Sequence, residues 1–414
     1  MRSTTLRIAT SLLIAVGTML IAWGGLVAGV FGGLQIRLTD ALFQGSEADP
    51  AIVVVAIDGK SLEDYGRWPW DRRLHASLID KLNAAGTRRI GYDVLFTEPS
   101  NPGSDRALGA AVDRAGNVVL AAAASFRKRS SDVLVAESYQ PPIDSIASGA
   151  AGIAHVNVFP DADGVVRALP VVLEISEDTV LPAGVEGPSN ALVPSLGLAM
   201  VEPRAGTQPV TILRDGVVTG GRLVRTGEGH LLDVNFVAAN AFPVISAADV
   251  LRGRVPAARL RGKIALVGVT AVALGDQKLT PIDKSEGQPG VFVHANAANT
   301  LSTSQYLIPE RRVETLAWVF VLALLTALVM TFVRVWITPA FGAVFGGGFA
   351  LFTFWRFDNG RVGNLVYPPA GMVLSYVAAL GVRYFTEFRE RRRVTQVFAR
   401  YVAQDVVDEV LASP

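Results

Sequence analysis

Apolar positions along this chain follow three different rhythms. Four long stretches, residues 8–31, 313–333, 335–355 and 365–385, have almost no polar interruption. Each is close to the roughly 20 residues that a helix needs to cross the apolar core of a bilayer. Between the first and second stretches the runs are short and alternate between strand and helix patterns. After the fourth, Val394, Val397, Phe398, Tyr401, Val402, Val406, Val410 and Leu411 recur at i, i+3, i+4 and i+7. That spacing predicts an amphipathic helix whose apolar face needs a partner.

The middle segment predicts a parallel sheet. "AIVVVAID" is a continuous apolar run with β-branched residues, which reads as a buried strand. "RRLHASLIDKLNAAG" follows, with Leu74, Leu78, Ile79 and Leu82 on one helix face and Gly86 as the stop. "RRIGYDVLF" and "NVVLAAAAS" are the next strands, separated by the helix "SDRALGAAVDRAG", with Ser104 as its expected cap and Gly116 at its end. Further on, "KIALVGVTA" is another buried strand, and "GVFVHANAANTLSTSQ" starts the helix that leads back to the membrane. This βαβ order implies a mostly parallel sheet with flanking helices. From Tyr139 to Phe242 hairpin-like pieces replace it, with turns expected at Asp163-Gly164 and Asp215-Gly216, so a β-rich insertion is expected there. "VLPAGVEGPSNALVPS" reads as a surface loop.

The expected architecture is therefore α/β for the large domain, plus four transmembrane helices and a C-terminal connector helix. The expected divisions are 1–34 for the N-terminal tip and first span, 35–309 for the extracytoplasmic domain, 310–385 for three spans, and 386–414 for the connector.

Composition agrees: half of the 414 residues are apolar and only 18% are charged. A net charge of +1 gives no argument for nucleic acid. With no cysteine, disulfides, thiolate nucleophiles and thiolate metal sites are excluded.

Direction follows from arginine. Arg2 and Arg7 precede the first span, and Arg383, Arg389, Arg391, Arg392 and Arg393 follow the last. The positive-inside rule then puts both termini in the cytoplasm and the large domain outside, periplasmic in a Gram-negative cell. Arg311 and Arg312 mildly oppose this. The first span is longer than a signal-peptide core and has no clear cleavage site, so it is expected to stay as an anchor. Trp318, Trp336 and Trp355 suit interfacial positions. The small residues of "FGAVFGGGFA" suit helix packing, and Pro339, Pro368 and Pro369 are expected to kink the last two spans. No carboxylate, lysine or histidine lies centrally in the last three spans, so they offer no residues for an ion pathway.

Three aspartates fall at strand ends: Asp58, Asp93 and Asp276. Open α/β sheets bind ligands at the carboxyl ends of their strands, so this edge is the first place for a ligand site. The bland alternative is helix capping or pairing with Arg67 or Arg73. "YGRWPWDRR" is a second candidate, with Arg67, Trp68 and Trp70 able to bind an anion or a π-faced ligand. Its bland reading is a rigid plug entering a helix capped by Asp71: the two tryptophans can face one side only if the segment is extended, and Pro69 favours an extended Trp68. "PDADG" has the first spacing of a calcium loop but lacks the later ligands and the closing glutamate, so it reads as a turn. His75, His155, His230 and His294 show no metal spacing; His294 reads as a structural hydrogen-bonder. No catalytic residue, metal site or cofactor is expected.

Five separated stretches resemble, in this order, the CHASE type-two family of extracellular sensory domains: "VVVAIDGKSLEDYGRWPWDRRLHASLIDKL", "GYDVLFTEPS", "AHVNVFPDADGVVRALP", "LRGKIALVGVTAVALGDQKLTP" and "PGVFVHANAANTL". The resemblance covers about Leu38 to Leu301, and three following spans also match that family's architecture. It implies an outer input module and a cytoplasmic output. The tail "FARYVAQDVVDEVL" looks like the lead-in to a class III adenylate/guanylate cyclase domain, whose first metal-binding aspartate would come later than Pro414. The implied partners are membrane lipid, an unidentified extracytoplasmic ligand, and a second copy joined through the connector at Val394, Val397, Phe398 and Tyr401. A stand-alone receptor acting through a partner protein, and an input to a histidine kinase, are the other readings.

Overall fold

The computed structural model describes residues 2–43, 47–128, 134–182, 191–202, 210–213, 215–274 and 276–398. The chain forms two compact units, Met1–Thr39 with Pro309–Pro414, and Asp40–Ile308. It begins with α1 (Arg2–Ala28) and the short α2 (Gly32–Asp40).

The second unit is built on a nine-stranded sheet. Its first strand, β1 (Ile52–Ile57), is buried at every position, as a parallel strand covered on both faces must be. Asp58 caps α3 (Gly59–Tyr65), and Asp71 caps α4 (Arg72–Ala84). Then come β2 (Arg89–Leu95), α5 (Pro102–Ala115), β3 (Val118–Lys128), β4 (Leu134–Gln140) and β5 (Gly152–His155). The β-rich stretch supplies β6 (Val166–Pro170), β7 (Val172–Ile175), β8 (Ala191–Pro194), the short helix α6 (Leu196–Val201) and β9 (Leu231–Asp233). The chain then returns to the main sheet with β10 (Val244–Ser246) and β11 (Ile264–Val269). The hairpin β12 (Gln277–Thr280) and β13 (Asp283–Pro289) leads into α7 (Gly290–Thr303).

The sheet order is β10-β1-β11-β2-β3-β4-β7-β8, with β5 also on β3. The β10, β1, β11, β2, β3 and β5 pairings are all parallel, as the βαβ pattern requires. Antiparallel pairs join β3 to β4 and β7 to β8. Part of the expected surface loop is thus a sheet strand, β8; residues 183–190 of it lie outside the described residues. The β-rich stretch also forms small sheets of its own, β9 with β6 and a three-stranded one over Thr211–Leu213, Gly216–Thr219 and Arg222–Arg225.

Val53, Val55 and Ile57 pack under α4 and α5, while Ile52 and Val54 pack against α6 and α7 on the other face. Two glycines permit that second packing. A Cβ on Gly91 would stand 2.6 Å from Met200 Sδ, and one on Gly268 would stand 2.6 Å from Val291 Cβ. The α5 cap is Asn101, which accepts from Gly103 N and Ser104 N, and not Ser104, whose hydroxyl donates to Asp71. The helix starts earlier than expected because Pro102 fits its first turn.

The first unit holds α1 with α8 (Arg312–Phe332), α9 (Thr338–Asp358) and α10 (Tyr367–Phe398). Among the described residues three helices are long and apolar enough to cross a membrane: Thr4–Ala28, Arg312–Phe332 and Thr338–Asp358. The fourth expected span, 365–385, is not among them. Tyr367, Pro368, Pro369, Ser375, Tyr376 and Arg383 dilute its apolar run, and its helix continues into an arginine-rich stretch. Pro339, Pro368 and Pro369 do not kink helix interiors; they sit in the first turns of α9 and α10, where proline costs no hydrogen bond. α10 nevertheless packs along α8. Ser375 Oγ donates to the Ala323 carbonyl (2.7 Å), and Arg383 donates to the carbonyls of Met330 and Val333 (3.2 Å each). α1 runs the other way: Ser11 meets Thr331 at 3.1 Å, and Ala22 packs with Val319.

Candidate functional site at the carboxyl edge of the sheet

The parallel strands end at one edge, where the chain places several polar side chains. Asp93 is the last β2 residue paired with β11, opposite Gly268. Asp276 follows β11, and its carbonyl accepts the first amide of α7, from Gly290, at 3.0 Å. The Asp276 carboxylate lies so close to Gly290 that a Cβ there would come within 2.5 Å of Oδ2. Lys278 of β12 pairs with Asp276 at 3.0 Å.

Burial raises the pKa of Asp93, and the Asp276 charge adds to the rise; His294 of α7 and Lys278 oppose it. His294 is buried, and among the described residues its Nδ1 has no hydrogen-bond partner. His155, at the end of β5, is fully buried near the Pro170 carbonyl; burial, and then the His294 charge, push it down to about 3. Neutral imidazole is therefore its resting form. Of the three sequence-predicted aspartates, Asp93 and Asp276 share one electrostatic environment and Asp58 does not join them. Asp58 accepts from Ser61 N (2.9 Å), Ser61 Oγ (2.6 Å) and Ser246 Oγ (2.9 Å), so it is committed to capping α3 and tying it to β10. The sequence pattern missed Lys278 and underrated His294. Apolar periodicity reports which face is buried but is silent on which buried polar groups lack partners.

The second candidate packs as an aromatic cluster. Trp68 and Trp70 flank a cis proline bond, and both rings turn to His75, with centroids 5.6 and 5.8 Å from it. His75 Nδ1 lies 2.8 Å from the Tyr92 hydroxyl, and burial pushes its pKa down to about 4. Trp70 Nε1 donates to the Gly66 carbonyl (3.1 Å). Arg67 points no bond into this cluster and is exposed. The aromatic faces are thus spent on one another and on the core.

A third constellation centres on Arg167 in β6. Its guanidinium meets Asp40 Oδ1 (2.9 Å) and Oδ2 (2.7 Å), Asp161 (2.6 Å) and Asp163 (2.8 Å). Lys284 also reaches Asp40, at 2.6 Å. The "PDADG" segment is indeed a turn, with Gly164 at φ 82°, and its aspartates hold Arg167. Among the described residues no group of three or more His, Asp or Glu side chains could hold a metal ion.

At the far end of the chain, Val394, Val397 and Phe398 lie on α10, with Val394 exposed. Tyr401 lies outside the described residues.

Comparison with known proteins adds a single family. No curated protein and no solved structure matches the chain. The model of the CHASE2 domain family matches residues 13–333, which takes in most of α1, the whole α/β unit and α8. With most of its length matched, and with the sensor-type α/β unit carried between apolar helices, this chain belongs to the CHASE2 domain family, whose members are extracytoplasmic sensors of signal transduction.

Proposed function

We propose that this chain is the input half of a membrane receptor whose cytoplasmic output is an adenylate or guanylate cyclase. The carrying observation is the polarity of the helical unit. Ser11 beside Thr331, and Arg383 on the last carbonyls of α8, put the Arg2/Arg7 end of α1 and the arginine-rich part of α10 at one end. Gln35, bonded to Gly363 and Leu365, and Glu310, bonded to Arg356, mark the other end, from which the chain continues into the α/β unit. The larger arginine cluster at one end, against Arg311, Arg312 and Arg356 at the end where the large domain attaches, is the distribution that the positive-inside rule translates into an outside sensor with both termini inside. In this reading the Tyr367–Arg383 part of α10 shares the membrane with the three apolar helices, its polar groups turned to α8.

The ligand site in this reading is the edge formed by Asp93, Asp276, Lys278 and His294. A ligand there engages the start of α7, and α7 leads along the chain into α8. For transmission the ligand has to bind one arrangement of α7 better than another. α8 and α10 then carry the change to the connector, where Val394, Val397, Phe398 and Tyr401 pair with a second copy. The cyclase assignment rests on the wording of the tail alone. A stand-alone receptor working through a partner protein, or an input to a histidine kinase, would use the same helices.

The chain has no cysteine, so single introduced cysteines test the topology directly. Ser285→Cys should react with a membrane-impermeant maleimide in intact cells, and Arg391→Cys only after lysis. The reverse pattern ends the receptor reading. Disulfide cross-linking at Val397→Cys or Tyr401→Cys tests the dimer. Cyclic AMP and cyclic GMP formation by membranes carrying the complete gene product tests the output; autophosphorylation on histidine instead would favour the kinase.

A further inference from the structure

The helical unit contains a cavity of about 370 Å³ that no part of the sensor mechanism uses. Thr326 and Met330 of α8, Pro339 and Gly342 of α9, and Met372 and Tyr376 of α10 are among its walls. Its surface is almost wholly apolar, and Thr326 Oγ1 is already bonded to the Leu322 carbonyl, so the cavity offers nothing to a polar ligand. On the α9 side the wall is open: a Cβ on Gly342 or Gly346 would meet nothing within 4 Å.

One end of the cavity is different. Met330 lines it, and the Met330 carbonyl is also the acceptor for Arg383 Nη1, while Arg383 Nε donates to Glu387 Oε1 at 3.2 Å. Val333 takes the second bond from the same guanidinium, and exposed Arg334 follows in the link to α9. Trp336 in that link is exposed too, at 75%, the placement of an indole at a membrane–water boundary. An apolar cavity within a membrane-spanning bundle, with two arginines at its boundary end, matches one chemistry: a hydrocarbon chain joined to an anionic head. Arginine is the side chain best suited to phosphate oxygens, through its planar fork of donors.

We propose that this cavity is a binding site for a phospholipid with an anionic headgroup, one acyl chain lying between α8, α9 and α10 and the phosphate held at exposed Arg334, beside the Glu387-paired Arg383. The proposal rests on the reading that the bundle lies in a membrane. The occupant comes from the surrounding bilayer, so the headgroup charge of that leaflet bears on how α9 and α10 pack.

The test is native mass spectrometry of the full chain in detergent, with phosphatidylglycerol or phosphatidylcholine of the same acyl composition added back. Phosphatidylglycerol should be retained several-fold more than phosphatidylcholine. Gly342→Leu, which fills the cavity from a position with free space, should remove the retained lipid. Arg334→Gln should abolish the preference between the two lipids while leaving the fold alone. Equal retention of both lipids by the native chain, or undiminished phosphatidylglycerol on the Gly342→Leu protein, overturns the proposal. Should Gly342→Leu fail to fold, the Arg334→Gln comparison decides by itself. Failure here leaves the topology untouched, because cysteine labelling reads that separately.

Discussion

The Arg167 guanidinium grips the Asp40 carboxylate in a two-pronged bond, Nε to Oδ1 at 2.9 Å and Nη2 to Oδ2 at 2.7 Å. Asp40 ends α2 and Arg167 lies far along the chain in β6, so the pair fastens the point where the chain enters the α/β unit to its β-rich part. The Asp40 side chain is only 2% exposed. Burial alone would raise its pKa, but the Arg167 and Lys284 bonds outweigh burial and hold it below the usual carboxylate range.

Arg167→Ala leaves buried Asp40 with Lys284 as its remaining cation, so it should destabilise the α/β unit by less than the about 3–5 kcal/mol of a fully uncompensated buried charge, read as a lowered urea midpoint. Because the folded-state pKa of Asp40 is depressed, its stabilisation is present above the unfolded value near 3.8 and lost as pH falls through the folded value. The native protein should lose stability below pH 4 more steeply than Asp40→Asn. Equal acid sensitivity of the two proteins would show that the pair carries no weight.

Asp233 has the opposite sign. Burial first, and then the nearby Asp161 charge, push its pKa up to about 7. A carboxyl raised in the folded state costs stability as pH climbs from its unfolded value towards 7, and the cost levels off above that. Asp233→Asn should match the native protein at pH 4 and exceed it at pH 8 by an amount on the order of 2 kcal/mol or more. Thermal melts across that range check it; parallel curves would refute the assignment.

Asp93 and Asp58 should separate under mutation. Asp93 carries an elevated pKa in a buried setting, so Asp93→Asn should hold or raise the melting temperature while weakening any ligand-induced stabilisation. Asp58→Ala removes the α3 cap and a tie to Ser246, and should cost about 1–2 kcal/mol with ligand response intact. A ligand and ion screen by thermal shift on the full chain in detergent reads both effects.

Gly268→Ala tests the seat of α7. Its Cβ would press on Val291, 2.6 Å away, within the first turn of that helix. Overpacking of this kind typically costs about 1–3 kcal/mol. If α7 relays the signal, the variant should also shift basal output, whereas an unchanged basal output with lowered stability would confine the contact to packing.

The main elements of the α/β unit were legible because their apolar rhythm is strict. An unbroken run such as Ile52–Ile57 suits a parallel strand covered on both faces, and α4 and α5 showed one apolar face each, with glycine stops in place and Asp71 capping α4. Less was legible where polar atoms decide the local geometry. Nothing in the linear pattern of "EPSNPGS" ranked Asn101 above Ser104 as the cap, since both are good capping residues. The 365–385 stretch read as a span by its apolar average, while its serine, tyrosine and arginine serve α8 carbonyls and packing. Asp58, Asp93 and Asp276 were alike as letters at strand ends; their partners made one a cap and grouped the other two.

The sequence by itself determined the parallel order of the sheet and the apolar helices, because these follow from which positions avoid water, and its motif stretches carried the family. Only the tertiary structure decided that Arg167 clamps Asp40, that Asp93 shares its surroundings with Asp276, Lys278 and His294, and that Met330 lines a cavity beside Arg383. Those relationships join residues distant in the chain through short-range polar contacts and packing gaps, and such forces leave no periodic trace in the order of residues.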